Sequence, residues 1–327
     1  MTSTRTSSPA RLRRIIDELA ECGFHFDGSD EWVAAVLDEL DYALRPVVHE
    51  RRVPTFGAIV APSVEPTRWD EAAQLTITHR PIVMELPMAR RFADGLSSWV
   101  IRPDGSSPDE LAVFDRPAGS ERDLVVLAEA LGATLIQRHP SGMVRMVGSF
   151  GVLRWDGLNW HHEPPISSWI DSLEACQGSG DRAVIEGILE FAVHDLGARG
   201  IGAILVYRPE DGQPPSYEVR LPMPPPLRIM TPSNLAPLRH VLSQIDGAAI
   251  FDGSGTLREL GVRLVPSPEA EADVEGLRGM RHTSGRRYSF DDRAATVIVV
   301  SEDGPVTVLR KGQMLGASTT VVDKIER

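Results

Sequence analysis

The chain has 327 residues, which predicts about two domains, and its 42% hydrophobic content is ordinary for a globular protein. A net charge of -12 excludes a broad electrostatic grip on nucleic acid, although Arg278, Arg281, Arg286 and Arg287 could still make one local basic pocket. Two distant cysteines, Cys22 and Cys176, give no disulfide scaffold or zinc spacing and fit a reducing cytoplasm, and no apolar run reaches the roughly 18–20 residues of a membrane helix.

Residues 1–9 are Ser/Thr-rich and lack the apolar segment of a signal peptide, so they are read as a disordered tail. Leu12, Ile15, Ile16 and Leu19 recur at helical spacing and predict a helix over 10–22. Ser29 is an N-cap for a second helix that runs to Pro46, with Asp27, Asp30 and Glu31 as charges at its start. Residues 50–118 are mixed, with strands at Phe56–Ala61 and Trp99–Ile101 and a loop at Pro103–Pro108. Ser120 caps a helix over 121–131 that stops at Gly132. Strands follow near 133–136, 142–147 and 151–155, with a hairpin turn at Trp155-Asp156-Gly157-Leu158. His161-His162 beside Trp155 and Trp160 reads either as a ligand patch or as a strand pair packing aromatics. A short helix at 166–175 and the glycine-rich 177–180 place the domain boundary near 175–180, giving domains 10–175 and 176–320.

Beyond it, Val184, Ile185, Ile188, Leu189, Ala192, Val193 and Leu196 form one apolar helix face ending at Gly197, and His194 within it reads as a surface or packing residue. A buried strand at 202–207, a proline-rich loop, a helix at 233–243 and a strand from Asp246 to Phe251 come next. The turn Asp252-Gly253-Ser254-Gly255 returns the chain as a strand over 256–265, and strands at 295–301 and 306–309 close the pattern. Helices interleaved with apolar strands predict an α/β (α+β) chain, with a mixed central sheet flanked by helices in the second domain and a mixed α/β first domain.

Asp246-Gly247-Ala248 places a carboxylate at a sheet edge, where it can hold a divalent cation, but Asp-Gly is also ordinary turn chemistry. Gly279-Met280-Arg281-His282 offers a guanidinium fork for phosphate, and a helix starting at Thr283 or Ser284 would add its free N–H groups. A surface loop is the alternative, and spacing alone leaves the two readings open.

The blocks Gly202-Ala203-Ile204-Leu205-Val206, Asp246-Gly247-Ala248-Ala249-Ile250, Gly279-Met280-Arg281-His282 and Val297-Ile298-Val299-Val300-Ser301-Glu302, in that order and spacing, resemble the diadenylate cyclase (DisA-type) domain family over roughly 180–315. The resemblance implies condensation of two ATP into cyclic di-AMP, a second messenger. It implies a nucleotidyltransferase whose two domains meet face to face in a homo-oligomer, assisted by Mg²⁺ or Mn²⁺; the acidic charge and the lack of a long apolar run predict neither nucleic-acid nor membrane partners. It assigns Asp246 to metal binding and 3′-hydroxyl activation, Arg281 and His282 to the catalytic phosphate motif, and Gly247, Ala248, Leu264, Gly279, Thr283, Ser284, Arg286 and Ser301 to the nucleotide, with Glu302 completing a Ser-Glu pair. The family usually reads Gly-Thr-Arg-His-Arg, where this chain has Met280 for the threonine and Thr283 for the second arginine. Arg286, three residues further, is the residue expected to compensate. The alternative function is a catalytically impaired module that binds and senses ATP or a cyclic dinucleotide, and the first domain is expected to sense a signal or control pairing.

Overall fold

The computed structural model describes residues 8–46, 48, 50–51, 53–61, 66–103, 108–175, 181–209, 216–277 and 279–320. Most of the expected tail, the 104–107 loop, the 177–180 glycine run, Pro214-Pro215 and Arg278 lie outside them. The chain divides into two compact units, residues 1–162 with 319–327, and residues 163–318. The division falls earlier than the composition reset at 175–180 suggested: helix Ile166–Ala175 packs within the second unit, and Thr319–Thr320 pair with strand Trp160–Glu163 of the first. Composition marked a loop, whereas apolar burial decides which unit a helix belongs to.

In the first unit the elements are α1 (Pro9–Glu21), α2 (Asp30–Leu44), β1 (Phe56–Ala61), α3 (Pro66–Ala73), β2 (Ile77–Pro81), α4 (Leu86–Ala89), β3 (Ser98–Pro103), β4 (Glu110–Phe114), α5 (Glu121–Leu131), β5 (Thr134–Arg138), β6 (Val144–Gly148), β7 (Gly151–Trp155) and β8 (Trp160–Glu163). They form a mixed sheet in the order β8-β7-β6-β5-β1-β3-β4-β2, with the Thr319–Thr320 pair beside β8. Only β1 and β3 run parallel among the registered pairs. Strand β1 is buried on both faces: Ile59 and Ala61 meet the core under α3 and α5, while Phe56, Ala58 and Val60 meet the core under α1 and α2. The caps act as the sequence requires. Ser29 accepts from the N–H of Trp32, and Ser120 forms a reciprocal capping box with Asp123 before the left-handed Gly132. His161 and His162 bind Asp156 and the carbonyl of Phe150, and Trp155 and Trp160 pack 5.5 Å apart, so this patch is strand packing.

The second unit contains α6 (Ile166–Ala175), α7 (Arg182–Glu190), β9 (Ala203–Arg208), β10 (Tyr217–Glu218), α8 (Pro232–Leu242), β11 (Ala248–Asp252), β12 (Leu257–Leu264), α9 (Pro268–Asp273), α10 (Met280–Asp291), β13 (Thr296–Val300), β14 (Val306–Arg310) and β15 (Gln313–Ala317). The helix expected to reach Gly197 widens into a π-helical stretch over Phe191–Leu196, where His194 is buried. The sheet order is β10-β12-β11-β9-β13-β14-β15, mixed as expected, with β9 and β11 parallel and β13 antiparallel to β9. Alternation along β9 divides the core: Ala203, Leu205 and Tyr207 face α6, α7 and α8, while Ile204 and Val206 face α10 with Tyr288. No helix of the described residues is long and apolar enough to cross a membrane.

Candidate active site at one end of the second sheet

Strand register fixes where the chemistry gathers. Ala248 pairs with Ile204 and also with Val262, and Ala203 pairs with Val300. Asp246, Gly202 and Ser301, just outside these pairs, therefore leave the sheet at the same end, where Leu264 is the last residue of β12. The helix α10 begins there as well, because Arg281 Nη1 donates to Glu302 Oε1 at 2.9 Å and Arg281 Nη2 lies 3.6 Å from Asp246 Oδ1. Three segments far apart in sequence thus bring two carboxylates and one guanidinium to one open rim.

The two Asp-Gly steps of this unit have opposite fates. Asp252 closes its turn through Ser254 and Thr256 and pairs with Arg258; although burial opposes it, this set of donors holds its carboxyl below the usual range. Asp246 has its side chain fully in solvent and, among the described residues, only the loose approach of Arg281. Gly247 has φ +107°, and a β-carbon there would stand 2.7 Å from the backbone of Gly261, so the loop carrying Asp246 rides tightly on β12.

Helix α10 starts at Met280 with Gly279 as its N-cap residue, three residues before the expected start. Arg281 and His282 consequently sit in the first helical turn, where unsatisfied N–H groups and the helix dipole favour an anion. Burial, with Arg281 adding to it, lowers the His282 pKa below the ordinary imidazole value against the opposing charge of Asp303. The ring is therefore neutral at pH 7 and able to donate or accept a hydrogen bond.

The two residues expected to complete the phosphate grip are used otherwise. Thr283 Oγ1 donates to the carbonyl of Leu277 at 2.8 Å and accepts the Leu277 N–H at 3.0 Å, stapling the loop that precedes the helix. Arg286 Nε donates to the carbonyl of Gly312 at 2.8 Å, and its Nη1 to that of Glu275 at 3.0 Å. Gly312 lies in the β14–β15 turn, which register places at the opposite end of the sheet. Arg286 is thus an anchor for α10, and the expected compensation for Thr283 is not what its contacts provide. Ala248 and Leu264 are buried in the apolar face below α10 and form a floor, with Tyr217 paired beside Leu264. Ser284 and Ser301 are partly buried and Gly279 is exposed.

Residues 190–314 match the family model described as "DisA bacterial checkpoint controller nucleotide-binding". The C-terminal half belongs to the diadenylate cyclase (DisA-type) domain family. Residues 14–163, ahead of this cyclase-family domain, match a model described as "Probable sensor domain DACNK". No curated protein matches the chain. Among solved structures, a hypothetical membrane spanning protein from Bacillus cereus is 18% identical over 40% of this chain and 60% of its own, with a TM-score of 0.28. The chain thus spans less than two thirds of that protein. DacA from Staphylococcus aureus, solved as a double cysteine mutant, is 20% identical over 44% of this chain and 91% of its own, also with a TM-score of 0.28.

The rim of the cyclase-family domain suits a cation that arrives with its substrate. Among the described residues no group of three or more His, Cys, Asp or Glu could hold a metal ion. Mg²⁺ keeps several waters and is commonly held by one or two carboxylates together with substrate phosphates. The exposed Asp246 carboxylate fits that donor set, and a closed protein cage is not needed. The residue that spacing undervalued is Glu302, the ion-pair partner of Arg281; the strand register between β9 and β13 is the signal that exposes it.

Proposed function

We propose that the cyclase-family domain condenses two molecules of ATP into cyclic di-AMP. The observation that carries this reading is the meeting of Asp246, Arg281 and the first turn of α10 at one sheet end, beside an apolar floor containing Leu264. In each half-reaction a 3′-hydroxyl oxygen forms a bond to the α-phosphorus of the other ATP. The bond from that phosphorus to the pyrophosphate oxygen breaks, and the hydroxyl proton is released. Two such steps yield one cyclic dinucleotide and two pyrophosphates.

Asp246 orients the attacking hydroxyl and would hold Mg²⁺ or Mn²⁺ with the triphosphate. The bound cation supplies charge neutralisation and makes the hydroxyl easier to deprotonate. Arg281 places its guanidinium on the phosphates, the N–H groups of the first turn add to it, and neutral His282 lends a hydrogen bond. Gly247 brings the backbone close to the nucleotide, with Ser284 and Ser301 as further polar neighbours. One domain holds one ATP in this scheme, so the product requires a second copy face to face, and the first unit is read as the sensor that governs that pairing. An ATP-consuming reaction of this kind belongs in the cytoplasm.

A second reading has its own support. Thr283 and Arg286 are both committed to backbone, so neither supplies the second guanidinium of the family motif. Loss of such a charge-assisted contact costs roughly 1.5–3 kcal/mol. That favours a module which binds a nucleotide without turning it over. Incubation of the purified protein with ATP and Mn²⁺ or Mg²⁺ separates the two. Cyclic di-AMP from wild type but not from Asp246→Asn supports the cyclase, whereas nucleotide affinity without product supports the sensor module.

A further inference from the structure

The turn between β13 and β14 is seated on a glycine segment. Its backbone is closed by the Ser301 N–H on the carbonyl of Pro305 and the Gly304 N–H on that of Ser301. A β-carbon on Gly197 would stand 2.7 Å from the carbonyl oxygen of Gly304, and one on Gly200 would stand 2.8 Å from that of Glu302. A β-carbon on Gly202 would collide with Arg281 Nη1 and lie 2.8 Å from Glu302 Cγ and 3.0 Å from Arg281 Cζ. Real β-carbons essentially never approach a heavy atom this closely.

Gly197-Ala198-Arg199-Gly200-Ile201-Gly202 therefore does two jobs. Its first two glycines let the turn backbone lie against the end of the preceding helix. The third leaves the space in which the Arg281–Glu302 pair lies. Both partners are solvent-accessible, at 36% and 71% of their side chains, so the pair adds little to folding stability. What it does is geometric. With Nη1 on Glu302 and Nη2 toward Asp246, the guanidinium is held across the open rim.

We infer that Glu302 and Gly202 are positioning residues for Arg281: Glu302 holds the guanidinium beside Asp246, and the missing side chain at Gly202 provides its seat. The inference rests on the cyclase reading for its catalytic consequence, but not for its structural one. Arg281 is the far end of a flexible side chain, so a methyl group at Gly202 displaces it without unfolding the strand. Misplacement of a positioning group by about 1 Å commonly costs on the order of 10²-fold in turnover.

The test uses the full chain with Gly202→Ala, Glu302→Gln, Arg281→Ala and the Glu302→Gln/Arg281→Ala double variant. Crystal structures of the first two give the place of the guanidinium, and ATP turnover with Mn²⁺ gives the consequence. The expected result is an unchanged melting temperature, an Arg281 head group that has left Asp246, and turnover reduced about 10²-fold in Gly202→Ala. Adding Glu302→Gln to Arg281→Ala should cost nothing further, because residues acting through one group are not additive. An unmoved Arg281 in both variants overturns the inference, as does a Glu302→Gln effect that persists undiminished without Arg281, or full turnover with Arg281 displaced. Wild-type protein that neither binds ATP nor turns it over sinks the cyclase reading instead, and the crystallographic comparison then decides the positioning alone.

Discussion

The core of the first unit and the open rim of the second handle charge in opposite ways. In the first unit Glu39 is fully buried and receives both Nε and Nη2 of Arg90 at 2.8 Å as well as Arg102, while Asp38 shares Nη2 of Arg90. Burial would weaken the Arg90 charge, but Glu39 and Asp38 more than offset it and push its pKa up. Glu121, also fully buried, holds Arg154 through two hydrogen bonds at 2.6 and 2.7 Å. At the rim of the second unit the charges are exposed, and Asp246 meets its nearest cation among the described residues only at 3.6 Å. Saturated, buried pairs build structure, whereas unsaturated, exposed ones are left for a ligand. The contrast separates stability from chemistry and can be broken at several points.

The largest effect is expected at Asp246. Asp246→Asn should abolish cyclic di-AMP formation, a loss on the order of 10³-fold if several kcal/mol of metal-assisted stabilisation disappear, while thermal melts stay unchanged. A melting temperature that falls with turnover would undo the distinction between the two units. The converse holds for Glu121: Glu121→Ala leaves buried guanidinium groups without their anion and should cost about 3–5 kcal/mol, read by urea denaturation of the full chain.

Thr283 sharpens the comparison because it lies at the rim yet is spent on structure. Thr283→Ala should cost about 1–3 kcal/mol through two lost backbone hydrogen bonds, with faster amide exchange at Leu277, and Thr283→Ser should retain most of both. The smallest effect concerns pH. The folded pKa of His282 lies below its ordinary value, so the unfolded chain binds more protons and stability rises with pH. Its contribution is complete above the unfolded pKa near 6.5 and is lost as pH falls toward the lower folded value. Denaturation midpoints between pH 7 and 5 should therefore decline less steeply in His282→Asn than in wild type; equal slopes would remove the claim.

Much of the fold was legible. Ser29, Ser120 and Gly132 announced helix ends because caps are local hydrogen-bond chemistry. Phe56–Ala61 and Thr296–Val300 announced buried strands because an unbroken apolar run has few other uses. Strands β2 and β4 were harder to see, since both carry charged or polar residues and mixed burial. The π-helical stretch was invisible, because Phe191, Ala192, Val193 and Leu196 continue the apolar pattern of the helix before it. For the site, motif order singled out Asp246, Arg281 and His282 and set Asp246-Gly247 apart from the turn at Asp252-Gly253, but could not give the contacts of any of them.

The sequence by itself determined the alternation that makes two mixed sheets, the caps that bound their helices, and the motif order that marks the cyclase family. Only the tertiary structure decided that the Asp246 carboxylate is open, that Thr283 and Arg286 bind backbone, and that Glu302 holds Arg281. The physical reason is range. Caps and periodicity act over one or two turns of chain, whereas the partner of a charged side chain is chosen by strand register between segments up to a hundred residues apart.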